Sequence, residues 1–392
     1  SAYYHNSEVV NKIDILTKFL ASAQSEDGTV NVGNLESPPD TAFLIEILGP
    51  AASIMRKDSS SALQDVQQQL KQILLKAGEG LATGGIHTPN HRWVISAALA
   101  QINHLYPNKK YSNRINDWLG EGVYIDADGH YPERSGIYSG VENAAFITIA
   151  RLANKSSLYA PVRKNLSMYQ YYIEPNGDLV RNDSRRQDQY EYAARTSTLF
   201  YLQYRFMAIR DNNRHFAAIA KMIEALPGFE KDILTRSLFY FLENETLQQQ
   251  LPSASALPDR YEKLFSTSHL LRIKEKNVTA IVDCGVAPGM SNWIIGRYNA
   301  EMKINAFEIY VGGLPLHPQP PFFYKAPFSP IDVIEEYTRP ARLKENGIVV
   351  TKPALTDREM MNFDRVGTLE AFNTDGLRSL LFTMPHIPTQ IE

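Results

Sequence analysis

Apolar residues recur at steps of three and four in VVNKIDILTKFL, TAFLIEILGPAASIM, LQDVQQQLKQILLKA, WVISAALAQINHL, AAFITIARLA, TSTLFYLQYRFMAI and FAAIAKMIEAL. That spacing lines one face of a helix with apolar side chains and predicts helices through residues 8–250. Helices in succession, joined by short links and with no strand between them, predict stacked αα-hairpins. No strict repeat of solenoid type is visible.

The texture changes after LPSASALPDR, residues 251–260. HLLRIKEKNVTAIVDCG, WIIGRYN, AFEIYVGG, NGIVVTK and SLLFTMP are short, β-branched or aromatic runs and predict strands. Pro315, Pro318, Pro320, Pro321, Pro327 and Pro330 mark long loops between them. The expected organisation is α+β and multidomain: a helical domain over 1–250, a linker over 251–260 and an antiparallel β domain over 261–392.

Composition narrows the classes. The chain has 392 residues, 44% of them hydrophobic, enough for a sizeable core. With 40 basic and 43 acidic residues the net charge is −3, and no basic excess points to nucleic acid. No apolar run reaches membrane-spanning length and no basic amphipathic helix suggests membrane binding. Cys284 is the one cysteine, so no intrachain disulfide forms; it is expected to be a small residue buried after the strand-like TAIVD. The opening SAYYHNSEVV has no signal-peptide character, as a mature chain freed of its leader would show.

Polar loops feeding helices hold the candidate chemistry. GIHTPNHRWV carries Asn90, His91 and Arg92, and DADGHYPERSGIYSGVEN carries Asp128, His130, Tyr131, Glu133, Arg134 and Tyr138. EPNGDLVRNDSRRQDQYEY carries Asp183, Arg185, Arg186 and Asp188, and DGTVNVGNLESPPDTAF starts a helix with Asp40 as its expected cap. In stacked hairpins such loops open on one face. Each has a plain structural reading as well. Asn90 suits the cap of a helix beginning at His91, Tyr138 an edge of the core, Arg185 and Arg186 a solvated face, and Trp93 the core, one turn into an apolar helix. Together they supply amide, imidazole, phenol and guanidinium groups, a set suited to gripping a carboxylate.

The loops resemble those of heparinase II/III-like and alginate/chondroitin polysaccharide lyases. Asn90-His91 resembles the Asn-His pair at a toroid helix start. Asp128-Gly129, Glu133 and Tyr138 resemble the loop holding a catalytic Tyr, and Asn176-Gly177 through Asp183-Ser184 resembles the next polar loop. Arg134 stands where the family often has Gly. The resemblance implies an incomplete (α/α) toroid followed by an antiparallel β-sandwich-like domain, and β-elimination on an acidic, uronate-containing polysaccharide by a periplasmic or secreted enzyme.

In that implied mechanism Asn90 and His91, with Arg134, neutralise the substrate carboxylate. Tyr138 takes the proton and returns it to the leaving oxygen, a nearby cation favouring its phenolate. Tyr131 is the reserve acid/base, and His91 or His269 is the base if the two events fall on opposite sides. Glu133, Tyr131, His130, Arg185, Arg186, Trp93 and His269 are expected substrate contacts.

Two alternatives stand beside it. Asp128 and Glu133 make a carboxyl pair of the kind a glycoside hydrolase uses, and a non-catalytic glycan-binding protein needs no such pair. No cofactor is expected. The nine His are scattered, His87 and His91 are separated by Pro89, and no spacing supports a structural divalent metal in the β domain. The sequon Asn277-Val278-Thr279 is read as chance.

Overall fold

A computed structural model describes residues 4–32, 34–189, 196–268, 270–275, 278–282, 285–321, 323–325 and 329–391. The fold is mixed α+β. The chain divides into two compact units, Ser1–Ala280 and Ile281–Glu392.

The first unit runs α1 (Ser7–Ser22), β1 (Val30–Val32), β2 (Asn34–Ser37), α2 (Pro38–Met55), α3 (Gln64–Thr83), α4 (Pro89–Leu105), α5 (Lys109–Gly120) and α6 (Gly136–Leu152). It continues through α7 (Tyr159–Tyr169), α8 (Tyr201–Arg210), α9 (Arg214–Glu224), α10 (Thr235–Glu243) and α11 (Glu245–Gln248) to β3 (Arg260–Phe265) and β4 (Leu270–Glu275). The strand β5 (Val278–Val282) spans the junction. The division therefore leaves the hairpin β3–β4 with the helices.

Helix α4 is the axis of the helical core. It packs against α2 on one side and α6 on the other, α6 meets α7 and α8, and α10 returns to α2. Ala97, Ala98 and Ala100 of α4 and Ala145 and Ala150 of α6 are buried, and small side chains let helix axes approach. At Gly49 of α2, a Cβ would lie 1.8 Å from the Gln101 side-chain oxygen on α4, so a larger residue there would have to displace the Gln101 amide. The core closes on β3 and β4 through Phe265 and Leu270.

Three helix starts differ from expectation. The cap of α2 is Ser37, whose side chain accepts from Asp40 N, with Pro38 as the first helical residue. The cap of α4 is Thr88, so Asn90 lies inside the first turn and is free for another partner. Helix α6 starts at Gly136, capped by Ser135, so Tyr138 sits on a helix rather than in a loop.

The second unit runs α12 (Met290–Glu301), β6 (Ala306–Glu308), α13 (Pro330–Thr338), β7 (Ala341–Glu345), β8 (Ile348–Lys352), β9 (Glu359–Phe363), β10 (Gly367–Ala371), α14 (Leu380–Thr383) and β11 (Thr389–Ile391). In place of an antiparallel sandwich it has a four-stranded mixed sheet, order β6-β11-β7-β8, and a separate hairpin β9–β10. Strand β11 runs parallel to β6 and antiparallel to β7. WIIGRYN, expected as a strand, lies in α12, and Leu380–Thr383 of the expected strand SLLFTMP forms α14. Ile295, Leu380 and Leu381 pack with Ala341 and Leu343 of the sheet, and tertiary packing overrides local β propensity. Among the described residues no helix is long and apolar enough to cross a membrane.

Candidate functional site

The cluster in the first unit begins with Asn90. Pro89 opens α4, and Asn90 is completely buried. Its Nδ2 donates to both carboxylate oxygens of Glu133, at 3.0 and 2.8 Å, and its Oδ1 has no partner. Glu133 is held from the other side by Arg186, whose Nη1 lies 3.1 Å from Oε1. Arg186 continues to Tyr138: Nη2 donates to the hydroxyl at 3.2 Å and the guanidinium carbon stands 4.5 Å from the ring centroid. Gln187 Nε2 donates to the same hydroxyl at 2.9 Å. Amide, carboxylate, guanidinium and phenol thus form one continuous line.

The segment carrying Arg186 and Gln187 is pinned through Asp188. This buried carboxylate accepts from Ser135 Oγ at 2.7 Å and from Ser184 Oγ at 2.5 Å. Ser135 caps α6, so one residue fixes both the start of the Tyr138 helix and the reach of Arg186.

His91 faces the same charges. It is half-buried with Nδ1 unpartnered. Burial holds its pKa below the ordinary value and Arg186 pushes the same way, against Glu133 and Asp40. It therefore presents a neutral ring. Glu142, on α6, is 1% exposed and neither carboxylate oxygen has a partner. Burial pushes its carboxyl well up and the charge of Glu133 adds to that, against Arg92.

The remaining candidates go to other tasks. Arg134 adopts φ 50°, and its guanidinium donates to the Thr267 carbonyl at 2.6 Å and lies 3.9 Å from Asp126. The cation beside Tyr138 is Arg186, not Arg134. Tyr131 is fully buried and its hydroxyl donates to Asn143 at 2.8 Å, within a network through Asn165 to the Gly129 carbonyl. As a reserve acid/base it is out of reach. His130, also buried, has Nε2 3.0 Å from the Tyr172 hydroxyl and 3.4 Å from Asp183.

Asp128 holds the Thr267 amide and hydroxyl, each at 2.6 Å. With Glu133 engaged by Asn90 and Arg186, both members of the expected carboxyl pair are already partnered. Arg185 is exposed. Trp93 is core, 5.0 Å from Phe146 between ring centroids. His269 and Cys284 lie outside the described residues. No group of three or more His, Cys, Asp or Glu able to hold a metal occurs among the described residues.

Sequence reasoning missed Gln187 and Glu142, and it named Asp188 without giving it a role. A glutamate within the apolar run of α6 is a readable signal for Glu142. Nothing local marks Gln187, whose role depends on a contact with a residue 49 positions away.

In the second unit a tight turn leads into α12. Met290 N donates to the Gly285 carbonyl at 2.9 Å. Gly289 takes φ 147°, and a Cβ there would stand 2.2 Å from the Gly285 oxygen. On the sheet, Arg342 forms a two-pronged pair with Asp375, both contacts at 2.8 Å.

Residues 285–389 match the model of the Saccharopine dehydrogenase C-terminal domain. The match overturns the lyase expectation: it points to an oxidoreductase family rather than to polysaccharide lyases. With it fall the alternatives of a glycoside hydrolase and a glycan-binding protein, the carbohydrate-degrading role and the acidic polysaccharide as substrate. The short loop motifs that carried the lyase resemblance all lie outside the matched segment.

Proposed function

We propose that the chain takes part in oxidoreductase chemistry of the amino-acid dehydrogenase kind on a small-molecule substrate, and that its second unit carries this role. One observation supports the reading above others: the matched residues, 285–389, fill nearly all of the unit Ile281–Glu392.

A dehydrogenase passes hydride to or from a nicotinamide dinucleotide, the part that performs the transfer when bound. Its pyrophosphate is ordinarily cradled by a G-x-G-x-x-G turn between a parallel strand and a helix N-terminus. The parallel pair β6–β11 aligns three residues on each strand, and no such turn follows β6. The turn before α12 has the spacing Gly285-x-x-x-Gly289. The described residues therefore do not fit that cradle, and no hydride step is derived from them.

For the first unit, we propose that α2, α4, α6, α8 and α10 form an incomplete ring, and that its polar cluster holds a small carboxylate. The unpartnered His91 Nδ1, a donor in one tautomer, and the Arg186 guanidinium beside Tyr138 support this. Arg186 would bind the anion, Gln187 would orient it, and Tyr138 would supply or accept a proton. Glu133 would position Asn90 and Arg186.

Calorimetric titration of the whole chain with amino acids and the matching 2-oxo acids tests the main reading. Saturable binding is expected. It should be lost in Gly289→Val, which strikes only the turn before α12, while the helical circular dichroism of the first unit persists. Failure of every amino and oxo acid to bind overturns the reading.

A further inference from the structure

Apart from the Asn90–Tyr138 cluster, the first unit has a half-open cavity of about 190 Å³. We infer that it is a binding site for a small aromatic carboxylate, with the ring between Tyr171, Tyr261, Ile219 and Met222 and the carboxylate at Lys274. The inference stands on the cavity and does not depend on the family match.

The β3–β4 hairpin builds one wall. Tyr261 is paired directly with Lys274 across the two strands, and Lys263 with Arg272. Side chains of directly opposed residues share a face, and residues two apart on a strand share it too. Tyr261, Lys274 and Arg272 therefore project together, toward the chain that follows α7. Tyr171, on that chain, meets Tyr261 edge to face with ring centroids 5.1 Å apart. Helix α9 supplies the opposite wall through His215, Ile219 and Met222.

Charge selects the ligand. Arg272 is fully buried and donates to Glu174 at 2.6 Å, so that carboxylate already has its counter-ion. His215 contacts Gln170 through Nε2, and burial depresses its pKa, which keeps the ring neutral. Lys274 forms no ion pair among the described residues. Its ammonium makes one long hydrogen bond, 3.3 Å, to the Pro258 carbonyl. Among the described residues the lining thus carries one positive charge without an ion-pair partner, Lys274, beside walls that are mostly apolar.

Size selects the ring. A cavity of about 150 Å³ lined by aliphatic and aromatic side chains accepts benzene, so this one accommodates a single ring bearing a small acidic group. Apolar walls hold the ring, and one placed cation fixes its orientation.

Benzoate is the probe, with benzyl alcohol as its neutral counterpart, titrated into the whole chain and read by ligand-observed nuclear magnetic resonance and calorimetry. Saturable benzoate binding is expected. Lys274→Met should weaken benzoate by about tenfold, the loss of one charge-assisted contact, and leave benzyl alcohol unchanged. Met222→Trp should fill the cavity and abolish both. Lys274 lies at a partly exposed strand position, so its variant keeps the test decisive even if the cavity-filling variant fails to fold. No saturable benzoate binding, or binding equal in wild type and Lys274→Met, overturns the inference.

Discussion

The Asn90 amide bridges both carboxylate oxygens of Glu133, at 3.0 and 2.8 Å, across 43 residues of sequence. A buried carboxylate needs its donors, because an unsatisfied one bears the full desolvation cost. Asn90→Ala leaves Glu133 to Arg186 alone. The variant is expected to lose about 1–3 kcal/mol of stability, read from denaturant midpoints. In a double-mutant cycle with Glu133→Gln the two effects should fall short of additive; full additivity would deny the coupling.

Glu142 should respond in the opposite direction. Its native carboxyl titrates above its unfolded value, chiefly through burial. The native state therefore holds a proton that the unfolded chain releases, and stability falls as pH rises past the unfolded value of about 4.3. Glu142→Gln removes that liability. It is expected to stabilise the first unit at neutral pH by about 1–3 kcal/mol and to flatten the slope of stability against pH above 5. A destabilised Gln variant at neutral pH would refute this.

His91, His130 and His215 make acid unfavourable. Burial is the first cause of a depressed pKa in each. Below their unfolded value of about 6.5 the unfolded chain binds protons that the native state refuses, so stability is complete above that pH and declines as pH drops through it. Melting temperatures measured between pH 7.5 and 5 should fall, and fall less in His130→Gln relative to its own neutral-pH value. An unchanged pH slope in that variant would assign the effect elsewhere.

The turn before α12 offers a test confined to the second unit. A Cβ at Gly289 would approach the Gly285 oxygen at 2.2 Å, at a φ of 147° that side chains rarely adopt. Gly289→Val is expected to destabilise that unit by about 2 kcal/mol or more, seen as a lower-temperature transition in calorimetry. A melting profile identical to wild type would show that the turn relaxes at little cost.

Much of the helical unit was legible because periodicity of three and four survives in α4, α6, α8 and α9, where one face must meet the core. The same criterion failed in the second unit. WIIGRYN is aromatic and β-branched in composition, yet Ile295 is carried inward on a helix, a choice made by the neighbouring α14 and sheet. The expectation set Asn90 and Tyr138 on two loops sharing a face; Tyr138 lies instead on α6 and is joined to Asn90 through Glu133 and Arg186. The identity of the cation was not legible either: Arg134, near in sequence, turns to Thr267, while Arg186, 48 residues from Tyr138, reaches it. Proximity along the chain was the wrong ruler there. The reaction class was misjudged because short polar motifs at helix starts serve packing and capping as readily as chemistry.

Thr267 occupies the tip of the β3–β4 hairpin, yet its amide, hydroxyl and carbonyl are all tied to Asp126, Asp128 and Arg134. Asp126 also accepts from the amides of Gly129 and His130. Opening the hairpin tip thus releases the charged side chains that shape the loop beneath it, and loosening the loop frees the tip. The amides of Gly129, His130 and Thr267 should exchange with deuterium at one shared rate, as members of a single opening event.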